Sequence, residues 1–251
     1  MDTGEKLASG AEPPESRPVG PGVHVRVLSA EAPVPADDYG STLLADFTDV
    51  YRRGADGWSR EQAMRETLRF VVEALGGEVA DRTVLDVGCG VGVDVERMAE
   101  MGARSVGLDL VRSAEWDRIT AEHPAVGFVQ GDLVELFHRG ALAEDAFDAV
   151  LDNGCMHHQH PDRVGLFFDA MRGVLRAGGV LVTSVFGAAK DKRGALMRNE
   201  ASRLFRDFTR DELVELGRAH GFVAESVHEV PRDDGLAYYV GVLRPLRNGP
   251  A

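Results

Sequence analysis

The chain has 251 residues, of which 44% are hydrophobic, and it carries a formal net charge of −13. This length suits one α/β domain with extensions or two small domains, and the composition is that of a globular protein. The acidic balance repels phosphate backbones, and the basic residues between Lys190 and Arg210 are interleaved with acidic ones. A nucleic-acid partner is therefore disfavoured.

No run approaches the roughly 18 to 20 apolar residues of a membrane-spanning helix, and residues 1–20 are polar and acidic where a signal peptide would be basic and then apolar. We therefore expect a cytoplasmic protein with no membrane partner. Cys89 and Cys155 have no paired spacing, which predicts neither a disulfide framework nor a zinc knuckle. We expect reduced thiols and no metal ion.

The first part of the chain predicts an arm and then a helical cap. Residues 1–37 are rich in Pro, Gly, Ala and Glu, which indicates a flexible arm with one short strand at 23–28. Between residues 38 and 77, apolar residues recur at helical spacing in two groups, separated by the segment from Gly54 to Trp58. We expect these two helices to cap the main domain.

Residues 78–251 alternate short apolar runs with helical segments, which is typical of a parallel sheet with crossover helices. The predicted parallel strands are 83–87, 105–109, 126–129, 149–151 and 180–185. Two further strands, 223–230 and 237–243, predict an antiparallel hairpin at one edge. We expect an α/β fold, a Rossmann-like three-layer sandwich with a seven-stranded, mostly parallel sheet.

The segment 187–209 is much longer than the roughly 2 to 6 residues of an ordinary connection in such a fold. Its apolar residues predict a lid containing a short amphipathic helix. We expect this lid to cover a substrate together with the helices near Tyr39, Tyr51 and Trp58.

A glycine turn follows the first predicted parallel strand. Gly88, Gly90 and Gly92 leave the backbone N–H groups open to a ligand at the start of the next helix, where the helix dipole favours an anionic group. Asp109 ends the following strand, 21 residues after Gly88, where a carboxylate suits a ribose diol. A dinucleotide dehydrogenase would have Gly-x-Gly-x-x-Gly, and Val93 stands where the third glycine belongs, so the spacing argues against NAD.

These motifs, in this order, resemble those of class I S-adenosylmethionine-dependent methyltransferases, and the resemblance covers roughly residues 81–242. It implies S-adenosyl-L-methionine as cofactor and S-adenosyl-L-homocysteine as product. The residues that it assigns to the cofactor are Asp86, Gly88, Gly90, Gly92, Asp109, Leu110, Asp132, Leu133 and Asn153. In the family pattern Asp86 orders the loop, Asp109 holds the ribose, and Asp132 with the Leu133 N–H meets the adenine. For Asp86 and Asp132, a purely structural role in a turn is the alternative.

Three histidines, His157, His158 and His160, follow the fourth parallel strand, at the crevice where ligands bind in such sheets. Methyl transfer depends mainly on alignment, and a base helps when the nucleophile is an alcohol or phenol. His157 and His158 are the candidate catalytic bases, and membership of an ordinary turn is the alternative. His157-x-x-His160 could begin a metal site, but no third ligand has a recognisable spacing.

The weak basic patterning predicts a small-molecule acceptor that offers a hydroxyl, an amine or a thiol. Residues 151–163 resemble the small-molecule thiol methyltransferases of the class, and the bias toward Ala, Gly, Arg and Val suits bacterial specialised metabolism. We expect a monomer or a homodimer. The alternative is a protein of the same fold that binds S-adenosylmethionine as a regulatory subunit or as a non-methylating enzyme.

Overall fold

A computed structural model describes residues 16–20, 23–27, 35–188 and 194–246. Its helices are α1 Ala36–Arg52, α2 Gln62–Ala74, α3 Val93–Glu100, α4 Glu115–Glu122, α5 Leu133–His138, α6 Val164–Val174 and α7 Arg210–Ala219. Short 3₁₀ helices span Gly57–Arg60, Met156–His158 and Pro161–Arg163. The strands are β1 Ser16–Gly20, β2 Val23–Val27, β3 Thr83–Val87, β4 Arg104–Asp109, β5 Val126–Gln130, β6 Phe147–Asn153, β7 Leu175–Gly187, β8 Leu196–Arg198, β9 Leu204–Phe208, β10 Phe222–Pro231 and β11 Ala237–Pro245.

The described strands form one eleven-stranded sheet, in which seven strands make up the main part in the order β5-β4-β3-β6-β7-β11-β10 and β9, β8, β2 and β1 branch from β7. Strands β3 to β7 pair in parallel, while β11 is antiparallel to both β7 and β10. The prediction of a mostly parallel sheet closed by a C-terminal hairpin is confirmed. The chain builds β4 and β5 on one side of β3 and then returns to add β6 and β7 on the other. A crevice therefore opens at the carboxyl ends of β3 and β6.

Helices cover both faces of this sheet, which gives the three layers. Alternate strand residues face opposite ways, as the pleat requires. Leu85 and Val150 pack in one core with residues of α5, α6 and α7. Val84 and Leu151 pack in a second core with α2 and with Met98 of α3. The sheet interior is thus dry on both faces, and its carboxyl edge is where polar side chains can meet a ligand.

The region before the sheet contains the two predicted cap helices, α1 and α2. In the predicted arm, β1 and β2 form a hairpin, and β2 pairs antiparallel with β8. The strand expected at 23–28 is therefore confirmed, and the remaining arm residues before position 35 lie outside the described part of the chain. No helix among the described residues is both long and apolar enough to cross a membrane.

The lid segment differs from the prediction. Where we expected a short amphipathic helix between 187 and 209, the chain forms β8 and β9, which pair antiparallel, while 189–193 lie outside the described residues. The helix prediction is wrong because β7 runs past the end of β6 and offers a free edge. Phe186 and Gly187 of β7 pair in parallel with Asp207 and Phe208 of β9, and β2 covers β8 on the other side.

Candidate active site

The glycine turn between β3 and α3 has the backbone conformation that its sequence predicts. Gly88, Gly90 and Gly92 have φ angles of +72°, +56° and +94°, a region that L-residues with side chains rarely adopt. A Cβ atom on Gly88 would lie 2.9 Å from Cβ of Cys155, and one on Gly90 would lie 2.8 Å from the Tyr51 hydroxyl oxygen. Glycine is therefore required at Gly88 and Gly90 by both backbone conformation and space, and the loop, called here the glycine cradle, presents bare backbone at its three glycines.

Asp109, at the end of β4, is tied to this loop. Its Oδ2 accepts a hydrogen bond from the Gly90 N–H at 2.8 Å, and its Oδ1 accepts one from the Val111 N–H at 2.8 Å. Burial raises the pKa of the carboxyl above its usual range, and these backbone donors oppose that shift. The carboxylate thus fixes the glycine loop while each oxygen keeps a second lone pair.

A cluster of buried polar side chains lies beside the start of α3. Arg65 Nη1 lies 2.8 Å from Asp94 Oδ1, and Asn153 Nδ2 donates to Asp94 Oδ2 at 2.9 Å. Asp86 is also buried here, and burial followed by the charge of Asp94 raises the pKa of Asp86 well above its usual range. With Gly90, these four side chains line a small pocket beside the loop. Sequence reasoning missed Arg65, whose only signal was a cation inside a cap helix.

Asp132 and Leu133 lie where β5 leads into α5. Asp132 is the N-cap of α5, since its Oδ1 accepts from the Glu135 N–H at 3.0 Å, and the same oxygen accepts from Arg163 Nη2 at 3.0 Å. The structural role weighed for Asp132 is therefore present. Both residues also line the main pocket, so the role does not exclude a ligand contact.

The main pocket opens at the carboxyl edge of the sheet and holds about 810 Å³ of space, part of it open to solvent. One end, called here the polar end, is formed by Gly88, Asp109, Leu110, Asp132, Leu133 and Asn153. The other, called here the aromatic end, is formed by Phe47, Trp58, His157, His158, Phe186 and Tyr238. The structure thus brings together most of the predicted site residues; Asp86 lies in β3 just before Gly88, and Gly90 and Gly92 follow Gly88 in the loop.

The turn that carries the histidines is held by Asp152, a role that sequence reasoning missed. Its Oδ1 accepts from the N–H groups of Cys155 and Met156 at 2.8 and 3.1 Å, and its Oδ2 accepts from the Thr183 hydroxyl at 2.6 Å. Asp152 is fully buried, and burial raises its pKa to about 6. The only signal was an acid near the end of a buried strand, two residues before Gly154.

His158 is locked in place by a closed set of hydrogen bonds. Its Nδ1 lies 2.9 Å from the Leu204 carbonyl oxygen, so Nδ1 carries the proton and Nε2 has a free lone pair. The Tyr39 hydroxyl donates to the His158 carbonyl at 2.8 Å and accepts from the Leu204 N–H at 2.7 Å. Burial, followed by the charges of His157 and Arg203, holds the pKa of His158 well below its usual range.

His157 is buried against Phe186, with ring centroids 3.9 Å apart. Its Nδ1 has no hydrogen-bond partner among the described residues. Burial lowers its pKa to about 3, helped by the charges of Arg232 and Arg203. Both candidate bases are therefore neutral at neutral pH. His160 has another role, because its Nδ1 accepts from the Asp162 N–H at 3.2 Å and caps a 3₁₀ turn.

Comparison with known proteins agrees with this geometry. A family model described as a methyltransferase domain matches residues 84–179. A Burkholderia thailandensis 1,6-didemethyltoxoflavin-N1-methyltransferase, solved with 1,6-didemethyltoxoflavin and S-adenosylhomocysteine bound, is 34% identical with a TM-score of 0.86, over 93% of this chain and 100% of that chain. The chain belongs to the class I S-adenosylmethionine-dependent methyltransferases. It is such an enzyme, and S-adenosylmethionine is its cofactor.

Curated relatives differ in what they act on. A probable fatty acid methyltransferase of Mycobacterium tuberculosis is 34% identical over 127 residues, 49% of this chain. A tRNA U34 carboxymethyltransferase of Shewanella halifaxensis is 32% identical over 123 residues, 47% of this chain. The match spans only 29% and 35% of the length of these two relatives. These matches therefore cover about half of this chain and about a third of each relative.

Proposed function

We propose that this enzyme transfers a methyl group to a small aromatic acceptor that binds at the aromatic end of the main pocket. The observation that carries the proposal is the composition of that end, where four aromatic side chains and two neutral histidines meet next to Asn153. Aromatic walls with a few convergent polar atoms are typical of small-molecule sites. The Burkholderia relative with bound 1,6-didemethyltoxoflavin, similar over nearly the whole chain, supports this proposal.

The polar end fits the cofactor. The N–H groups of Gly88, Gly90 and Gly92 are already hydrogen-bonded within the protein, so the sites left for the methionine carboxylate are Arg65 and the first turn of α3, which line the small pocket beside the loop. Asn153 Oδ1 is buried without a hydrogen-bond partner among the described residues, so it can accept from the methionine ammonium group. We assign the ribose hydroxyls to Asp109 and the adenine to Asp132 and Leu133. These assignments place the reactive sulfur between Asn153 and the histidines.

The bound cofactor supplies an electrophilic methyl carbon on a sulfonium. The chain's own residues hold the acceptor in line with that carbon, and such alignment contributes roughly 7 to 11 kcal/mol to catalysis. The aromatic walls limit the access of water to that carbon. His158 Nε2, with its free lone pair, is the candidate acceptor for a proton that the nucleophile releases.

An isotope-transfer assay tests the proposal. Methyl-labelled S-adenosylmethionine and the purified full chain are incubated with one candidate acceptor at a time. The acceptors are 1,6-didemethyltoxoflavin, a panel of phenols and thiols, total tRNA and fatty acids. We expect label in one or more small aromatic compounds and background label in tRNA, which the charge of −13 disfavours. Label only in tRNA or only in fatty acids would overturn the small aromatic acceptor.

The His158→Gln variant refines the assay. If His158 takes the proton, this change lowers kcat by about 10² while leaving the affinity for S-adenosylhomocysteine unchanged. Arg139→Gln is the matched control, because Arg139 is an exposed side chain that pairs only with the neighbouring helix residue Glu135. An unchanged kcat in His158→Gln would remove this histidine from the proton path.

A further inference from the structure

Two buried arginines lie behind the aromatic walls of the main pocket. Arg203, just before β9, has its guanidinium carbon 4.4 Å from the Phe47 ring centroid. Arg232, just after β10, has its guanidinium carbon 4.9 Å from the Phe186 centroid and 4.8 Å from that of Tyr238. Both arginines are over 90% buried. Each cation is therefore separated from the pocket by a single ring.

Each arginine has a carboxylate partner. Arg203 Nε lies 3.0 Å from Asp46 Oδ2, and Arg232 contacts Glu61 at 3.5 Å and Asp234 at 2.8 Å. These carboxylates do not line the main pocket, whereas the rings covered by the arginines do. Glu61 Oε2 also accepts a hydrogen bond from the Tyr238 hydroxyl at 2.9 Å, so both members of this ion pair contact Tyr238, whereas at Phe47 and Phe186 a guanidinium lies against the ring.

The charges of the two arginines affect the pKa values of nearby side chains. Arg232 and then Arg203 are the charges that lower the pKa of His157. Burial raises the pKa of Tyr238 and of Tyr39; the charge of Arg232 opposes this at Tyr238 and the charge of Arg203 opposes it at Tyr39, while the partner carboxylates Glu61 and Asp46 add to the increase. The charged and titratable groups around the two ends of the pocket are Asp46, Tyr51, Glu61, Asp109, Asp132, Cys155, His157, His158, Arg203, Arg232, Asp234 and Tyr238.

We propose that Arg203 and Arg232 make the aromatic end selective for acceptors with an acidic ring N–H or O–H, which bind there as anions. This inference rests on the proposed small aromatic acceptor and specifies its chemical class. Cationic amines would be disfavoured as acceptors.

The transfer step balances in these terms. The acceptor releases its proton to His158 Nε2 or to solvent and keeps the electron pair on nitrogen or oxygen. That pair forms the bond to the methyl carbon as the carbon–sulfur bond breaks, and the breaking pair goes to sulfur. A cationic donor and an anionic acceptor give two neutral products, so the charges cancel as the reaction proceeds.

The size of the effect follows from the spacing. A ligand stacked about 3.5 Å beyond the Phe186 ring lies roughly 8 Å from Arg232. At an effective dielectric constant of about 20, one charge at roughly 8 Å shifts a pKa by about 1.5 units before any offset from its carboxylate partners. We expect a net lowering of about one unit in the pKa of the bound acceptor for each arginine.

A spectroscopic titration tests this inference without turnover. The probe is 1,6-didemethyltoxoflavin, a nitrogen heterocycle whose absorbance reports ring ionisation. Its pKa is measured free and bound to the full chain saturated with S-adenosylhomocysteine. We expect a lower pKa for the bound probe than for the free probe. Arg232→Gln should raise the bound value by about one unit, while Arg232→Lys, which keeps the charge, should hold it near wild type.

Because Arg203→Gln alone would leave Asp46 buried without its cation, Arg203 is tested as the pair Asp46→Asn with Arg203→Gln. Binding of S-adenosylhomocysteine by calorimetry confirms that each variant is folded. A bound pKa equal to or above the free value overturns the anion selectivity and leaves the small aromatic acceptor standing. A lowered pKa that neither arginine variant changes also overturns it. Failure of the probe to bind, with no labelled small molecule in the transfer assay, overturns both proposals.

Discussion

Replacing Gly90 by alanine is the sharpest perturbation of the glycine loop. The added Cβ would face the Tyr51 hydroxyl at 2.8 Å, in a residue whose φ is +56°. Moving Tyr51 aside has a cost, because its half-buried ring packs edge-on against Trp58 with ring centroids 5.9 Å apart. Gly90→Ala therefore carries two separable costs, one from the backbone and one from the contact.

The backbone cost is about 1 kcal/mol, since alanine tolerates a left-handed φ poorly, and displacing Tyr51 adds about 1 kcal/mol, as for overpacking. If both terms make the binding free energy of the cofactor less favourable, the affinity for S-adenosylhomocysteine falls by about 30-fold. In the double variant Gly90→Ala with Tyr51→Phe the hydroxyl is absent, so the loss of affinity due to the contact should disappear. A loss of about fivefold, due to the backbone, should remain.

Calorimetric titration with S-adenosylhomocysteine measures these affinities. Gly54→Ala is the matched control, because Gly54 also has a positive φ, +63°, but has open space around its Cβ position. It should lower stability by about 1 kcal/mol and leave the affinity unchanged. Wild-type affinity in Gly90→Ala, or an equal loss in Gly54→Ala, would refute the assignment of this loop to the cofactor.

Three further predictions concern the surrounding groups. Arg65→Gln should weaken S-adenosylhomocysteine binding, measured by calorimetry, about tenfold, and Arg65→Lys should have an intermediate affinity. If wild type and Arg65→Gln bind with equal affinity, Arg65 is not part of the methionine site. Trp116→Phe loses the 2.8 Å hydrogen bond to the Gly90 carbonyl and should cost about 2 kcal/mol in urea unfolding; no loss would mean that the loop does not depend on this bond. His157 keeps a pKa of about 3, so as pH falls below about 6.5 the unfolded chain takes up a proton that the folded chain does not. The stabilising effect of the neutral His157 side chain is complete above that pH and falls by about 1.4 kcal/mol per pH unit below it. The difference in unfolding free energy between wild type and His157→Gln should show this slope. A difference that does not depend on pH would contradict the buried neutral state.

The sheet and the glycine loop were predictable because local signals and tertiary needs agree there. A strand buried on both faces is mostly apolar, so β3 was found with its observed bounds, Thr83–Val87. Gly88 and Gly90 occupy positions where any side chain would clash. The structural need for glycine therefore coincides with the glycine spacing from which the cofactor loop was predicted. The cap helices α1 and α2 were found from their apolar periodicity.

Contacts between distant segments were beyond sequence reasoning. The lid was expected to be helical, but its strands depend on the free edge of β7, which only the assembled sheet provides. Arg65 and Asp152 gave weak signals because their roles depend on Asp94 and on the backbone of the histidine turn. Arg203 and Arg232 looked like ordinary surface cations until the fold placed aromatic rings against them.

The most direct test of the account is a crystal structure of the full chain with S-adenosylhomocysteine. We predict ribose hydroxyls within hydrogen-bond distance of Asp109, adenine beside Asp132 and Leu133, and the sulfur directed toward the aromatic end, with His158 across the remaining space. A cofactor bound elsewhere, or one whose sulfur points away from the histidines, would contradict the assignment of the two ends of the pocket.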